Sequence, residues 1–160
     1  MMQSFLLIPV FLASLFLSGA ATSPVDLEKE RAELLKLHKL AREAHFKRDA
    51  GALVSSFATE TINVRDGRVE TRTRAESLRR FEKYFAGAEF TEWDDLMPPV
   101  IRISPDGKMA WMIVRLKGKY TQTNENGEKS AEEFVCAWMS TYEKQGSKWI
   151  HIANVSTFQP

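Results

Sequence analysis

The chain has 160 residues, enough for one domain with its own core, and its 22 basic and 21 acidic side chains give a formal net charge of +1. That balance excludes a general electrostatic pull towards nucleic acid or an anionic membrane. A single cysteine, Cys136, excludes an intrachain disulfide, and its place in the run FVCAWM reads as a small buried hydrophobe.

In chain order, the opening stretch MMQSFLLIPVFLASLFLSGA carries no charged side chain and ends in the small residues Ser18-Gly19-Ala20. It predicts an export signal over residues 1–20, cut after Ala20, leaving one domain over 21–160 in the periplasm or outside the cell. No Lys or Arg precedes the apolar core, which departs from the usual signal pattern. The run is short for a membrane span and holds Pro9, and no cysteine follows it for lipid attachment.

From Pro24 to Asp49 the spacing predicts one long helix. Asp26 caps it, and Leu27, Leu34, Leu37, Ala41 and Ala44 form a stripe one face wide. Asp49 then caps a short helix, AGALVSSF. Ile62 and Val64 alternate with Asn63 and Arg65 as in a half-buried strand, and Asp66-Gly67 makes a hairpin turn. Thr73 and Glu76 form a capping box that opens a helix with Leu78, Phe81 and Phe85 on one face, closed by Gly87. Only strands follow: EFTEWDDLM and VIRIS, separated by Pro98-Pro99, then MAWMIVRLKGKYTQT, AEEFVCAWMSTYEK and KWIHIANVSTFQP. The turns SPDGK, NENGEK and QGSK each pair Gly with Asp, Asn or Ser, which supports a meander of hairpins. The order predicts an α+β domain whose N-terminal helices cover one face of a curved antiparallel sheet.

Three stretches, in this order, carry a resemblance to the nuclear-transport-factor-2-like superfamily, which includes ketosteroid isomerase, scytalone dehydratase and the SnoaL-like polyketide cyclases. The long first helix ends in Arg48-Asp49, where many members have Gly-Asp. LVSSFATETINV is similar to the family's helix-to-strand passage, and GSKWIHIANVS to its closing Gly-x-Trp strand. The likeness spans residues 27–158. It implies a cone-shaped, cystatin-like sheet whose concave side the helices close over a pocket. It implies no single reaction, since the fold hosts enzymes, binding modules and association domains.

The chemistry of ketosteroid isomerase does not carry over. The position matching its helical tyrosine donor is Ala41, and the position matching its aspartate base is Arg65. Asp66, one residue on, is better explained by the turn before Gly67.

The histidines come next. His38 and His45 lie seven apart on the first helix, about 10 Å along its axis, too far to share a metal, and no third ligand stands out. The helix dipole at the last turn favours the charged form of His45. On the last strand Trp149, His151, Ala153, Val155 and Thr157 share one face of a regular strand, and Ile150, Ile152, Asn154, Ser156 and Phe158 the other. Only one of His151 and Asn154 then faces inward, and the pattern leaves both faces open. The family likeness implies that Trp149 and His151 face the pocket, with His151 the candidate catalytic acid–base group and His45, Trp93, Trp138 and Asn154 the candidate ligand-binding residues.

Ala110, Met112, Val114 and Leu116 form a natural inner face, opposite Trp111, Ile113, Arg115, Lys117 and Lys119. Phe134, Cys136 and Trp138 on one side and Val135, Ala137 and Met139 on the other make the next strand apolar on both faces. Such a strand needs cover on both sides, so a homodimer through the outer sheet face is expected. The four tryptophans, Trp93, Trp111, Trp138 and Trp149, are divided between pocket lining and core or interface packing, with Met97, Met109, Met112 and Met139 as a soft lining. The segment RDGRVETRTRAESLRR interleaves acids among its basic residues and reads as a solvated edge.

No nucleophile–base pair, Gly-rich phosphate loop, metal cluster or cofactor fingerprint appears, so no cofactor is expected. The sequence points to an exported protein that binds a small hydrophobic or aromatic molecule in a mainly apolar pocket. The alternatives are a SnoaL-like, isomerase or dehydratase-type enzyme with a pocket His as acid–base group, and an association module that fills its own cavity.

Overall fold

The structure is a computed structural model and describes residues 25–159. The expected export signal and its cut site lie outside the described residues. Helix α1 spans Leu27–Lys47, and the Asp26 carboxylate accepts a hydrogen bond from the Lys29 N–H at 3.0 Å, as the capping pattern requires. The helix stops at Arg48, which turns left-handed at φ 56° so that its N–H reaches back into the last turn. Asp49 caps α2, Ala50–Val54, by accepting from the Ala52 N–H at 2.8 Å. The short helix ends earlier than its composition predicts, because Phe57 already begins a strand.

Strands β1 (Phe57–Arg65) and β2 (Arg68–Thr73) form the expected hairpin. Asp66 at φ 51° and Gly67 at φ 72° supply the two positive dihedrals that a right-twisted two-residue turn demands. Thr73 and Glu76 make the reciprocal capping box at the start of α3, Arg74–Gly87. Gly87 ends this helix for a different reason from the one the sequence suggests. Its backbone is not left-handed; a Cβ there would collide with the Gln122 side chain and the Thr123 carbonyl oxygen.

The remaining strands are β3 (Ala88–Asp95), β4 (Val100–Ile103), β5 (Met109–Thr123), β6 (Lys129–Gln145) and β7 (Lys148–Phe158). The sheet runs β2-β1-β7-β6-β5-β3, with β4 also on β5. It is curved and does not close. β3 and β4 pair with different parts of the same edge of β5, divided by Pro98-Pro99, which cannot donate to the ladder. All pairs are antiparallel except β1 with β7. That pair joins distant parts of the chain and needs no hairpin, so turn-based reading does not reveal it.

The inner face of β5 is as expected: Ala110, Met112, Val114 and Leu116 are buried, and Leu34 of α1 and Ile101 of β4 complete the same core. Each large side chain of this set contributes roughly 1.5–3 kcal/mol by leaving water. At the narrow end, Glu30 of α1 ties the helix to the sheet. Its buried carboxylate accepts from the Trp149 indole N–H at 2.8 Å and pairs with Lys144. Trp149 is therefore anchored core rather than pocket lining. Trp111, on the opposite side of β5 from Ala110 and Met112, is half-buried on the outer sheet face.

Candidate functional site

Between the helices and the concave sheet lie two connected chambers. The inner one has a volume of about 230 Å³ and the outer one about 900 Å³; the outer falls in the range of pockets that hold small organic ligands, and the inner is somewhat smaller. His45, Asn63, Arg72, Arg80, Trp138 and Asn154 line both and so mark the neck between them.

The strand question is answered by a bulge. In the β6–β7 ladder Tyr142 faces His151 and Thr141 faces Ala153, which leaves Ile152 as an extra residue without a partner. The alternation resets there. Trp149 and His151 point inward before the bulge; Asn154, Ser156 and Phe158 point inward after it. The expectation that only one of His151 and Asn154 faces the cavity is thus corrected: the strand is not regular, and both line the inner chamber. Ala153 and Val155 move to the outer face for the same reason.

His151 sits at the floor of the inner chamber, 7% exposed, with its ring against Phe57 at 4.7 Å and Tyr142 at 5.4 Å between centroids. Neither ring nitrogen makes a well-formed hydrogen bond among the described residues, although the Ala153 backbone lies close enough to offset part of the burial effect on its pKa. Buried polar atoms are nearly always paired, so this imidazole stands out in the chamber wall. Burial lowers its pKa from 6.5 to about 4, so it is a neutral donor and acceptor at physiological pH. Beside it, the Ser140 hydroxyl donates to the Asn154 side-chain oxygen at 3.2 Å across the ladder. Burial pushes the Tyr142 phenol up to about 12, so it stays protonated.

His45 is packed rather than poised. Its ring stacks on Trp93 at 3.6 Å and meets Phe85 and Phe90 edge-on at 5.2 Å. Nδ1 lies 2.7 Å from the Ala41 carbonyl oxygen, which can only accept, so Nδ1 carries the proton and Nε2 is the acceptor. The helix-dipole argument for a charged His45 is overturned, because burial dominates and lowers its pKa to about 4. His38 behaves differently. Half-buried at the inner chamber, its Nε2 lies 2.8 Å from the Asp95 carboxylate and its ring leans towards Trp138.

Trp93 and Trp138 line both chambers. Tyr84, Tyr120 and Phe134 extend the aromatic wall of the outer one. Met112 is the methionine of the inner lining, while Met97, Met109 and Met139 are exposed. Ala41 and Arg65, the positions matching the isomerase's donor and base, both reach the cavity but carry neither chemistry. Arg65 instead lies over the Phe158 ring, 4.2 Å from its centroid. Asp66 stands in the turn.

The sequence reading missed the rim. Arg65, Arg68, Arg72, Arg80 and Lys83 border the outer chamber against only Asp66 and Glu70. These residues looked like a solvated edge because their acids are interleaved in the chain. The capping box at Thr73 could have located them, since it folds α3 back over β2 and brings Arg80 near Arg72. On β1 the half-buried pattern suggests Ile62 as a covered residue; the structure instead leaves Ile62 48% exposed and turns Asn63 to the cavity.

Among the described residues no group of three or more His, Cys, Asp or Glu side chains is placed to hold a metal ion. No described helix is long and apolar enough to cross a membrane.

A helix-capped, unclosed cone with a pocket on its concave side defines a class of α+β proteins. No family model matches the sequence, and no curated protein matches it. Solved structures do. A nuclear-transport-factor-2-like protein from Cytophaga hutchinsonii is similar at a TM-score of 0.63 and 15% identity, over 81% of this chain and 98% of that one. A nuclear-transport-factor-2-like protein with a cystatin-like fold from Novosphingobium aromaticivorans gives 0.59 and 17%, over 82% and 83%. One from Rhodospirillum rubrum, described as of unknown function in nutrient uptake, gives 0.61 and 17%, over 79% and 98%. The chain therefore has the nuclear-transport-factor-2-like, or cystatin-like, fold.

Proposed function

We propose that this is an exported small-molecule-binding protein that takes an apolar or aromatic ligand into the inner chamber. The observation that carries the reading is His151: a buried imidazole at the floor of a cavity, with neither nitrogen in a well-formed hydrogen bond. Its neutrality favours binding over proton transfer. A conjugate acid with pKa about 4 holds few protons near neutral pH and makes a weak base. A protein linked with nutrient uptake among the similar folds agrees with an exported binder. Native mass spectrometry of the folded protein tests this. A small-molecule adduct lost in His151→Phe supports the reading, and an adduct unaffected by that change refutes it.

One observation favours the enzyme reading, and it moves the acid–base role away from His151 and His45. His38 is oriented by Asp95 beside the inner chamber, the arrangement in which a carboxylate holds an imidazole for proton transfer. Turnover abolished by both His38→Gln and Asp95→Asn, with binding retained, would establish it.

A second copy of the chain is proposed as the cover for the outer sheet face. Val69, Val64, Val155, Met139, Ile113 and Val100 face one another across successive strands, a continuous apolar row over most of the sheet. Val155 and Met139, near its middle, are 42% and 37% exposed. Such a row is self-complementary about a two-fold axis, which makes a second copy its natural partner.

A further inference from the structure

Resting on the binding reading above, we infer that the ligand is an organic carboxylate built on one or two fused rings, with a neutral hydroxyl or keto group at the end opposite the carboxylate. Three features at different depths carry this. At the floor, His151 offers an unpaired donor and acceptor, with the Ser140–Asn154 pair alongside. It is neutral and desolvated, so it suits a neutral polar atom; an anion placed there would have no cation to meet. The walls above it, Leu37, Leu53, Phe57, Phe81, Met112 and Trp138, are apolar and enclose a space sized for one or two rings.

At the neck the character changes. Arg72 and Arg80 line both chambers, and the outer chamber continues the positive rim with Arg65, Arg68 and Lys83. Arg72 is paired with Glu70 and Arg65 with Asp66, while Arg80 has no carboxylate partner among the described residues. The chain as a whole is nearly neutral at +1, so five basic side chains against two acidic ones at the mouth is a local excess. A guanidinium fork matches the two coplanar oxygens of a carboxylate, and the Asn63 and Asn154 amides at the same neck add donors beside it. A ring seated on His151 with its carboxylate at the neck satisfies all three features at once. The reverse orientation would bury the anion and leave the arginines unused.

Calorimetric titration with hydroxynaphthoate, naphthol and naphthoate separates these contributions. The protein is expected to bind hydroxynaphthoate about tenfold more tightly than naphthol, with a preference that shrinks as salt is raised. Arg80→Gln, at an exposed side chain, removes that preference, leaves naphthol binding unchanged and leaves thermal unfolding unchanged. His151→Phe weakens hydroxynaphthoate and naphthol alike and spares naphthoate. Heats measured in two buffers show no proton uptake near neutral pH. Equal affinity for naphthol and hydroxynaphthoate overturns the inference while the binding reading stands, as does a preference that survives both Arg80→Gln and Arg72→Gln. Proton uptake on binding places the carboxylate on His151 and overturns it too. Absence of binding by all three compounds overturns the binding reading itself.

Discussion

Replacing His151 with phenylalanine should stabilise the protein, and more so in acid. The histidine ring packs between Phe57 and Tyr142, and a phenyl ring keeps those contacts. The change removes a buried donor and acceptor that no protein group satisfies with good geometry, a defect worth about 1–3 kcal/mol. Overpacking offsets part of this, but the added atom borders a chamber of about 230 Å³ and has room. A net gain of about 1–2 kcal/mol near neutral pH follows, or roughly 3–6 °C in Tm. The acid contribution comes from linkage. Burial depresses the folded pKa of His151 from 6.5 to about 4, so between those values the unfolded chain binds a proton that the folded chain refuses. Stability therefore falls as pH drops through that window, by about 2 kcal/mol for this group between pH 7 and pH 5. The variant lacks the loss, so its advantage should widen by that amount in acid. His45 suffers the same burial in both proteins and cancels from the comparison. Urea unfolding at the two pH values measures the gap. A variant less stable than the parent, or a gap that does not change with pH, would mean that His151 is hydrogen-bonded or solvated in the folded protein, and the binding argument would lose its basis.

Glu30→Ala strands the Trp149 indole N–H and unpairs Lys144, so it should cost about 2–3 kcal/mol in denaturant unfolding without touching the chambers. Arg48→Gly relieves a left-handed backbone at the end of α1; against the added freedom of the unfolded chain, a gain of about 0.5 kcal/mol is expected in thermal unfolding. Burial pushes the Cys136 thiol up to about 11, so it should react with a maleimide or disulfide reagent far more slowly near neutral pH than a free thiol; a rate equal to that of a free thiol would refute its burial. Val155→Lys with Met139→Lys puts charge into the apolar row; light scattering should show a dimer for the parent and a monomer for the variant, and a monomeric parent would remove the dimer proposal.

What was legible in the sequence was local. Asp26, Asp49, the Thr73–Glu76 box and the Asp66-Gly67 turn act within four residues of themselves, and each does in the fold what its spacing implied. The inner face of β5 was legible because its alternation is unbroken from Ala110 to Leu116. What was hidden depends on partners remote in the chain. Gly87 looks like a helix stop until β5 is laid beside it. His45 looks like a charged helix-end residue until Trp93 and Phe90 close around it. Arg72 and Arg80 look solvated until β2 and α3 converge on one opening.

The unpaired residue at Ile152 decides which groups the cavity meets. Without Ile152 the ladder would be regular, with Ala153 still opposite Thr141 and Asn154, Ser156 and Phe158 still turned inward. With Ile152 kept but made to pair with Thr141, everything downstream would rotate by half a pleat, sending Asn154, Ser156 and Phe158 outward and turning Ala153, Val155 and Thr157 into the wall. The same slip would plant polar and aromatic groups in the apolar row outside. On a scaffold of this kind, a change that irons out one bulge re-dresses the cavity and the outer surface together, whereas loss of the extra residue itself leaves both in place.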